Sequence, residues 1–441
     1  MTEQQMETLT AQYGSPLYVF DVQVLRQRIA FLRRNLPYGV GLCYAIKANP
    51  FLLRELCGQV ERFEVCSPGE AAICRRLQIP AGQQVISGVY KTPADIERMI
   101  AQKNGPRLFT VESLRQFALL SRLAARYRVT IHVLLRLTSG SQFGLEQEEI
   151  IQIIRGRADH PNINIRGLQY FSGTQKASLK RLQRELTALD DFAVSLEEKL
   201  GFPVHELEFG PGFPVQYFSP DSFDETEFLA GFSAMLKNLR CKGHVTLELG
   251  RSIAASCGTY LTRVVDVKRN KGQNYAILDG GIHHLVYYGQ HMAMQLPPHQ
   301  MYPPRTGETQ PWNLCGSLCT VNDILVKQLP VADLKCGDLF AFLQTGAYCM
   351  TEGISLFLSR ALPRIVLLQQ DGRPLLVRDA LPTDEINSPN YERTDNYGTT
   401  ACYSGGTSAR RGLRHLPQSD RCALSGLADH SRAGRRAGRR V

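Results

Sequence analysis

The 441-residue sequence lacks any CxxC pair, any apolar run near the roughly 20 residues that span a bilayer, and any internal repeat. Its 12 cysteines are scattered. The closest pair, Cys315 and Cys319, is spaced CxxxC and has no second pair to complete a zinc site. The first ten residues are polar and include Glu3 and Glu7, so a secretory apolar segment is missing there. These absences lead to the expectation of a cytoplasmic chain with reduced thiols, no metal and no membrane span. A basic patch is also missing from the body of the chain. From Tyr403 to Val441 there are nine arginines, no lysine and two aspartates, so this stretch holds +7 of the net +10. With the body at only +3 and without interleaved aromatics, nucleic acid is not an expected partner. The tail reads as disordered, either a weak polyanion binder or a non-functional extension.

What is present is globular. Apolar residues make up 43% and charged residues 21%, ordinary for a folded enzyme, and the length implies about two or three domains. Short β-branched or apolar runs occur at 41–46, 62–66, 84–87, 107–111, 130–136, 165–171, 206–209 and 244–247. Amphipathic stretches such as 113–126, 146–154 and 178–200 lie between them. Eight strand-helix alternations predict parallel strands and a (β/α)8 TIM barrel. After Arg251 the pattern changes to runs at 260–267, 274–278, 323–326, 339–343 and 365–368 with little helix, which predicts an all-β domain. The expected organisation is an N-terminal segment 1–35 joining the β domain, a barrel 36–260, a β domain 261–385 and the tail 386–441.

Barrel enzymes assemble their sites from the carboxyl ends of the strands. Those ends carry Lys47, Ser67, Arg136, Thr174, the Gly210-Pro211-Gly212 turn, Glu248 and Arg251. Each alone has a plainer reading: a solvated lysine, an ordinary turn, a surface salt bridge. Together they would equip one mouth for a phosphorylated cofactor with an aldehyde and a basic ring nitrogen.

The motifs YGSPLYVFD, YAIKANP, FEVCSPGE, QFGL, GLQYFSGTQ, EFGPGF, ELGR, LDGG, GSLCTVND and GAY occur in this order within the stretch from Tyr13 to Leu368, the last ending at Tyr348. In this series the chain resembles the fold-type III pyridoxal 5′-phosphate (PLP) decarboxylases, the group of diaminopimelate and eukaryotic ornithine decarboxylases. The resemblance implies a barrel-plus-β fold and a homodimer with shared sites acting on an amino acid. Lys47 is implied as the Schiff-base lysine, a desolvated amine that loses its proton near neutral pH. Gly210, Gly212, Thr174 and Arg251 are implied around the phosphate, with Gly250 and Tyr348 as further cofactor contacts. Glu248 is implied at the pyridine nitrogen, where it keeps the ring cationic. Glu64 and Glu70 match family acids near the cofactor. Cys319 matches the acid contributed by the partner subunit, with a buried structural thiol as its plainer reading.

The chain departs from the family at the site. Phe171 stands where a histidine usually stacks on the ring, in Gln169-Tyr170-Phe171-Ser172-Gly173-Thr174; it can cover a ring face but cannot titrate. Pro211 removes one N–H from the glycine turn. Thr320 replaces an acid that reads a distal ammonium, and Gln142 replaces a lysine that would partner Asp323 across subunits. Thr320 and Asp323 are the expected substrate contacts. These changes lead to the expectation of a diamino-acid-type substrate in a secondary-metabolite route, such as a siderophore or toxin. The alternatives are an amino-acid racemase of the same fold, which Glu248 opposes, a non-catalytic PLP carrier, which the β domain opposes, and a degenerate scaffold.

Overall fold

A computed structural model of the chain describes residues 1–102, 104–105, 108–218 and 223–389. The arginine-rich tail expected over 386–441 lies, from residue 390 onward, outside the described residues. The predicted strand runs become elements because their apolar residues are buried on both faces, as parallel strands under helices require. After β1 (Leu17–Asp21) come β2 (Gly41–Ala45), β3 (Arg62–Val65), β4 (Gln84–Ile86), β5 (Leu108–Val111), β6 (Ile131–Arg136), β7 (Ile163–Phe171), β8 (Glu206–Gly210) and β9 (His244–Leu249). Strands β2 to β9 form a closed barrel in chain order, and β2 pairs in parallel with β9 through Cys43↔Glu248.

The helices that wrap the barrel carry sequence-encoded starts. Ser113 accepts a hydrogen bond from Gln116 N ahead of Leu114–Tyr127, and Ser178 accepts from Arg181 N ahead of Leu179–Leu200. Leu182, Leu186, Leu189, Phe192 and Leu196 of the second helix recur at three- and four-residue spacing and are buried against the barrel. Among the described residues no helix is long and apolar enough to cross a membrane.

The remaining strands are β10 (Gly258–Asn270), β11 (Gln273–Leu278), β12 (His299–Tyr302), β13 (Thr309–Cys315), β14 (Ile324–Ala332), β15 (Leu339–Leu343), β16 (Arg364–Leu368) and β17 (Pro374–Arg378). They form a mostly antiparallel sheet in the order β14-β13-β11-β10-β1-β16-β17, with β15 paired to β10 and β12 to β15. The barrel-plus-β fold expected from the sequence is the fold observed. Strand β1 lies inside this sheet, antiparallel to β10 and parallel to β16. The helix Glu3–Tyr13 buries Met6 and Leu9 on the far face of that sheet, against Val19, Leu261 and Val366. The next helix, Val22–Asn35, turns back to the barrel, where Arg28 donates to the Ser252 carbonyl at 2.6 Å.

The two parts meet where β9 passes through Gly250 and Arg251 into β10. Tyr348 N donates to the Ala48 carbonyl at 2.8 Å and Asn49 Nδ2 donates to the Gly346 carbonyl at 2.9 Å. These bonds tie the GAY segment of the β domain to the segment that carries Lys47.

Candidate functional site

Barrel interiors are usually filled by Val, Ile and Leu. Here the inward positions at the upper end carry Lys47, Glu64, Arg136, Gln169, Glu208 and Glu248. Charges grouped on this scale at a barrel mouth are expensive unless paired, which marks this end as the candidate site.

Lys47 sits in the single turn Ile46–Ala48 at the end of β2. Its Nζ lies 2.7 Å from Glu64 Oε2, 3.6 Å from Cys66 Sγ and 3.9 Å from Glu248 Oε1. The register Ala45↔Glu64 between β2 and β3 makes the first contact possible. Burial works against the Lys47 charge, but Glu64 and then Glu248 outweigh it and hold the ammonium well above the ordinary lysine range. The expectation that desolvation alone frees the amine is therefore corrected: in the cofactor-free chain Lys47 is an ion-paired ammonium. Burial also works to raise Glu64, yet the adjacent ammonium and its hydrogen bond bring that carboxyl down to about 2. Glu248 goes the other way: burial, then the nearby Glu64 charge, push it up to about 8. Lys47 thus lies between one carboxylate held ionised and one carboxyl inclined to keep a proton.

Two cavities meet at Lys47, Phe171 and Glu248. The smaller, of about 250 Å³, is also lined by Thr174, Gly212, Gly250, Arg251, Tyr288 and Tyr348. The larger, of about 740 Å³, is walled by Ser87, Tyr90, Arg136, Ser139, Ser141 and Phe143.

In the smaller cavity Arg251 is stacked among aromatic rings, its guanidinium carbon 4.5 Å from the Tyr348 centroid and 4.6 Å from that of Tyr288. Its Nη1 donates to Tyr217 Oη at 3.0 Å, while its buried Nε has no partner. Burial pushes the Tyr348 phenol up to about 12, so it remains a donor. Gly212 has φ +60°, and a Cβ there would lie 2.1 Å from the Gly173 carbonyl. A Cβ on Gly210 would meet the Phe171 ring at 2.4 Å. The turn around Pro211 and the 171–174 segment are therefore in direct contact, with Phe171 laid over the turn. An unpartnered guanidinium N–H, a hydroxyl and a bare glycine turn lie at one end, an aromatic wall and Glu248 in the middle, and a lysine at the other. This donor set fits the phosphate, pyridine nitrogen and aldehyde of PLP.

Other expected residues take different places. Glu70 accepts from Cys66 N at 2.6 Å while Ser67 Oγ accepts from Glu70 N at 3.1 Å, so the pair caps the helix Pro68–Arg76. Glu70 lines neither cavity. Cys319, Thr320 and Asp323 lie in the loop between β13 and β14, and none of them lines either cavity. Cys319 is exposed. Asp323 is buried, and its two oxygens accept from Ile282 N and Leu318 N, each at 2.8 Å. Within this chain it shapes the Cys319 loop.

Sequence reasoning missed Cys66, whose Sγ donates to Glu64 Oε1 at 3.1 Å, and the tyrosines 217 and 288 around Arg251. Cys66 carried a usable signal, since it directly follows β3. The tyrosines lie in long irregular connections where no periodicity marks them.

Comparison with known proteins follows the same lines. The family profile described as "Pyridoxal-dependent decarboxylase, C-terminal sheet domain" matches residues 17–346. A diaminopimelate decarboxylase of Vibrio cholerae is 30% identical over 395 residues, covering 84% of this chain and 91% of that protein. The Staphylococcus aureus 2-[(L-alanin-3-ylcarbamoyl)methyl]-2-hydroxybutanedioate decarboxylase is 27% identical over 383 residues, 80% of this chain and 94% of that one. The crystal structure of a lysine/ornithine decarboxylase from Vibrio vulnificus, complexed with putrescine, superposes with a TM-score of 0.73 at 25% identity. It covers 83% of this chain and 97% of that chain.

Proposed function

The chain belongs to the pyridoxal-dependent decarboxylases, and from that membership we propose that it acts on a specialised amino acid of diamino type, in a secondary-metabolite route, as a cytoplasmic homodimer. The enzyme is a PLP-dependent amino-acid decarboxylase. The observation that carries the reading is Lys47 at the junction of the two cavities, between Glu64 and Glu248.

When bound, PLP supplies an aldehyde for amines and a ring that takes up the electron pair left by departing CO2. The proposed roles of the chain's own groups are these. Lys47 holds the cofactor after passing a proton to a neighbouring carboxylate. Arg251, Thr174, Tyr348 and the backbone of Gly210, Gly212 and Gly250 hold the phosphate. Phe171 covers one ring face, and Glu248 faces the ring nitrogen. Glu64 keeps the Lys47 amine oriented. Cys319, exposed and outside the lining of both cavities of its own chain, delivers a proton to the partner's substrate carbon, and Thr320 of the same loop touches the substrate. Mixing Lys47→Ala with Cys319→Ala subunits is expected to restore part of the activity; no recovery would refute shared sites.

Two observations support a specialised substrate. Thr320 offers a hydroxyl, which cannot neutralise a desolvated ammonium as a carboxylate does. The larger cavity, about 740 Å³ with a serine-rich wall, has room for an extended substrate. The Staphylococcus aureus relative is named for an alanine unit linked through a carbamoyl group to a hydroxybutanedioate. The test is CO2 release by the PLP-loaded protein from a panel of diamino acids and their acylated conjugates. Turnover of a conjugate or uncommon diamino acid above meso-diaminopimelate is expected. Efficient turnover of meso-diaminopimelate alone would overturn the specialised-substrate reading.

A further inference from the structure

One buried acid in the barrel has no task in the roles above. Glu208 is completely buried in β8, and neither of its carboxylate oxygens has a hydrogen-bond partner. Arg62 Nη1 approaches one of them to 3.8 Å, but Arg62 is already engaged with Glu206. The cross-strand partner of Glu208 on β7 is Gln169, which is also buried. Gln169 Nε2 donates to Glu248 Oε2 at 2.9 Å, and Gln169 Oε1 has no partner.

Buried polar atoms are almost always paired, so two unpaired acceptors on adjacent strands call for a donor between them, a carboxyl proton or a bridging water. With Glu248 ionised, as its place at the ring nitrogen requires, Gln169 does not resolve this by turning over, because its carbonyl oxygen would then face the Glu248 carboxylate. A protonated Glu208 resolves it, with one O–H donor for one free acceptor.

We propose that Glu208 is a positioning residue for the cofactor's ring nitrogen: its carboxyl O–H donates to Gln169 Oε1 and locks the Gln169 amide so that Nε2 donates to Glu248. This rests on the reading of Glu248 as the partner of that nitrogen. Burial, followed by the Glu248 charge, pushes Glu208 up to about 8, in keeping with a carboxyl that carries its proton. The Gln169 Nε2 hydrogen bond favours the ionised, acceptor-only form of Glu248, against the burial and Glu64 charge that push that carboxyl up. It also gives a use to the glutamine at position 169, next to the replaced ring-stacking residue.

The test uses the full chain. Infrared difference spectra of the cofactor-free protein, wild type minus Glu208→Gln, are expected to contain the C=O stretch of a protonated carboxyl. In a Gln169→Met background that band is expected to move to the higher frequency of a carboxyl without this acceptor. Carboxylate bands in its place would overturn the proposal, including the case of an ionised Glu208 bridged by water. The protein is then loaded with ring-15N PLP. Glu208→Gln, which keeps a donor, is expected to bind PLP within about twofold of wild type and to keep the upfield resonance of a protonated pyridine nitrogen. Gln169→Met is expected to bind about tenfold more weakly, the equivalent of one buried hydrogen bond, and to shift that resonance toward neutral pyridine. No change in Gln169→Met would sink the relay. Glu248→Gln separates the two levels: if it leaves the resonance unmoved, the reading of Glu248 fails, while the infrared bands still decide whether Glu208 is protonated and bonded to Gln169.

Discussion

Glu64→Gln removes one negative charge 2.7 Å from Lys47 Nζ while preserving side-chain volume. At that separation an effective dielectric of about 20 gives about 6 kcal/mol of attraction. The Lys47 side chain is 43% exposed, so solvent screening reduces the useful part to about 1–3 kcal/mol. One pH unit corresponds to about 1.4 kcal/mol, and Glu248 at 3.9 Å remains in place, so the Lys47 pKa is expected to fall by about 1–2 units. At any pH below that pKa, the neutral-amine fraction then rises about ten- to hundredfold. The assay is the pH dependence of Lys47 acylation in cofactor-free protein, with the Lys47 peptide quantified by mass spectrometry. The rate profile of the variant is expected to shift to lower pH. An unchanged profile, or one displaced to higher pH, would refute the claim that Glu64 holds Lys47 as an ammonium.

Gly212→Ala places a methyl 2.1 Å from the Gly173 carbonyl at a φ of +60°, so PLP affinity measured by fluorescence titration is expected to drop at least about tenfold. Unaltered affinity would show that the turn yields freely. Asp323→Ala removes the acceptor for two backbone N–H groups and is expected to cost about 3 kcal/mol in chemical denaturation. Protease should cut the Cys319 loop faster in this variant while PLP binding is retained, and wild-type stability would contradict the role assigned to Asp323. Glu208 titrates near 8 in the folded chain against an ordinary value of 4.5. The folded state therefore binds more protons than the unfolded state between these values, and its contribution to stability falls as pH rises through that window. Melting temperatures of the cofactor-free protein should decline less steeply from pH 5 to 8 in Glu208→Gln; equal slopes would count against a raised Glu208.

The barrel was legible because strands buried on both faces must be apolar runs, and all eight such runs coincide with β2 to β9. Strands β1, β12, β13 and β17 were not among the predicted runs. The burial of β17 is slight, and β13 contains Pro311 and polar residues that mask its period. At the site, strand-end position was enough to single out Lys47, Glu248 and Arg251. It could not give the protonation of Lys47, which depends on a carboxylate supplied by the neighbouring strand through register. Glu208 and Gln169 were invisible as a pair for the same reason, since 39 residues of sequence separate side chains that face each other across β7 and β8. The intrachain task of Asp323 was not legible either, because a motif position does not reveal which way a carboxylate points; its oxygens accept from Ile282 N and Leu318 N.

The most direct measurement is borohydride reduction of the PLP-loaded chain, followed by peptide mapping. A pyridoxyl group fixed on Lys47, absent in Lys47→Ala, is expected. Label on another lysine, such as Lys91 or Lys176, or no label at all, would contradict the assignment of this barrel mouth as the cofactor site.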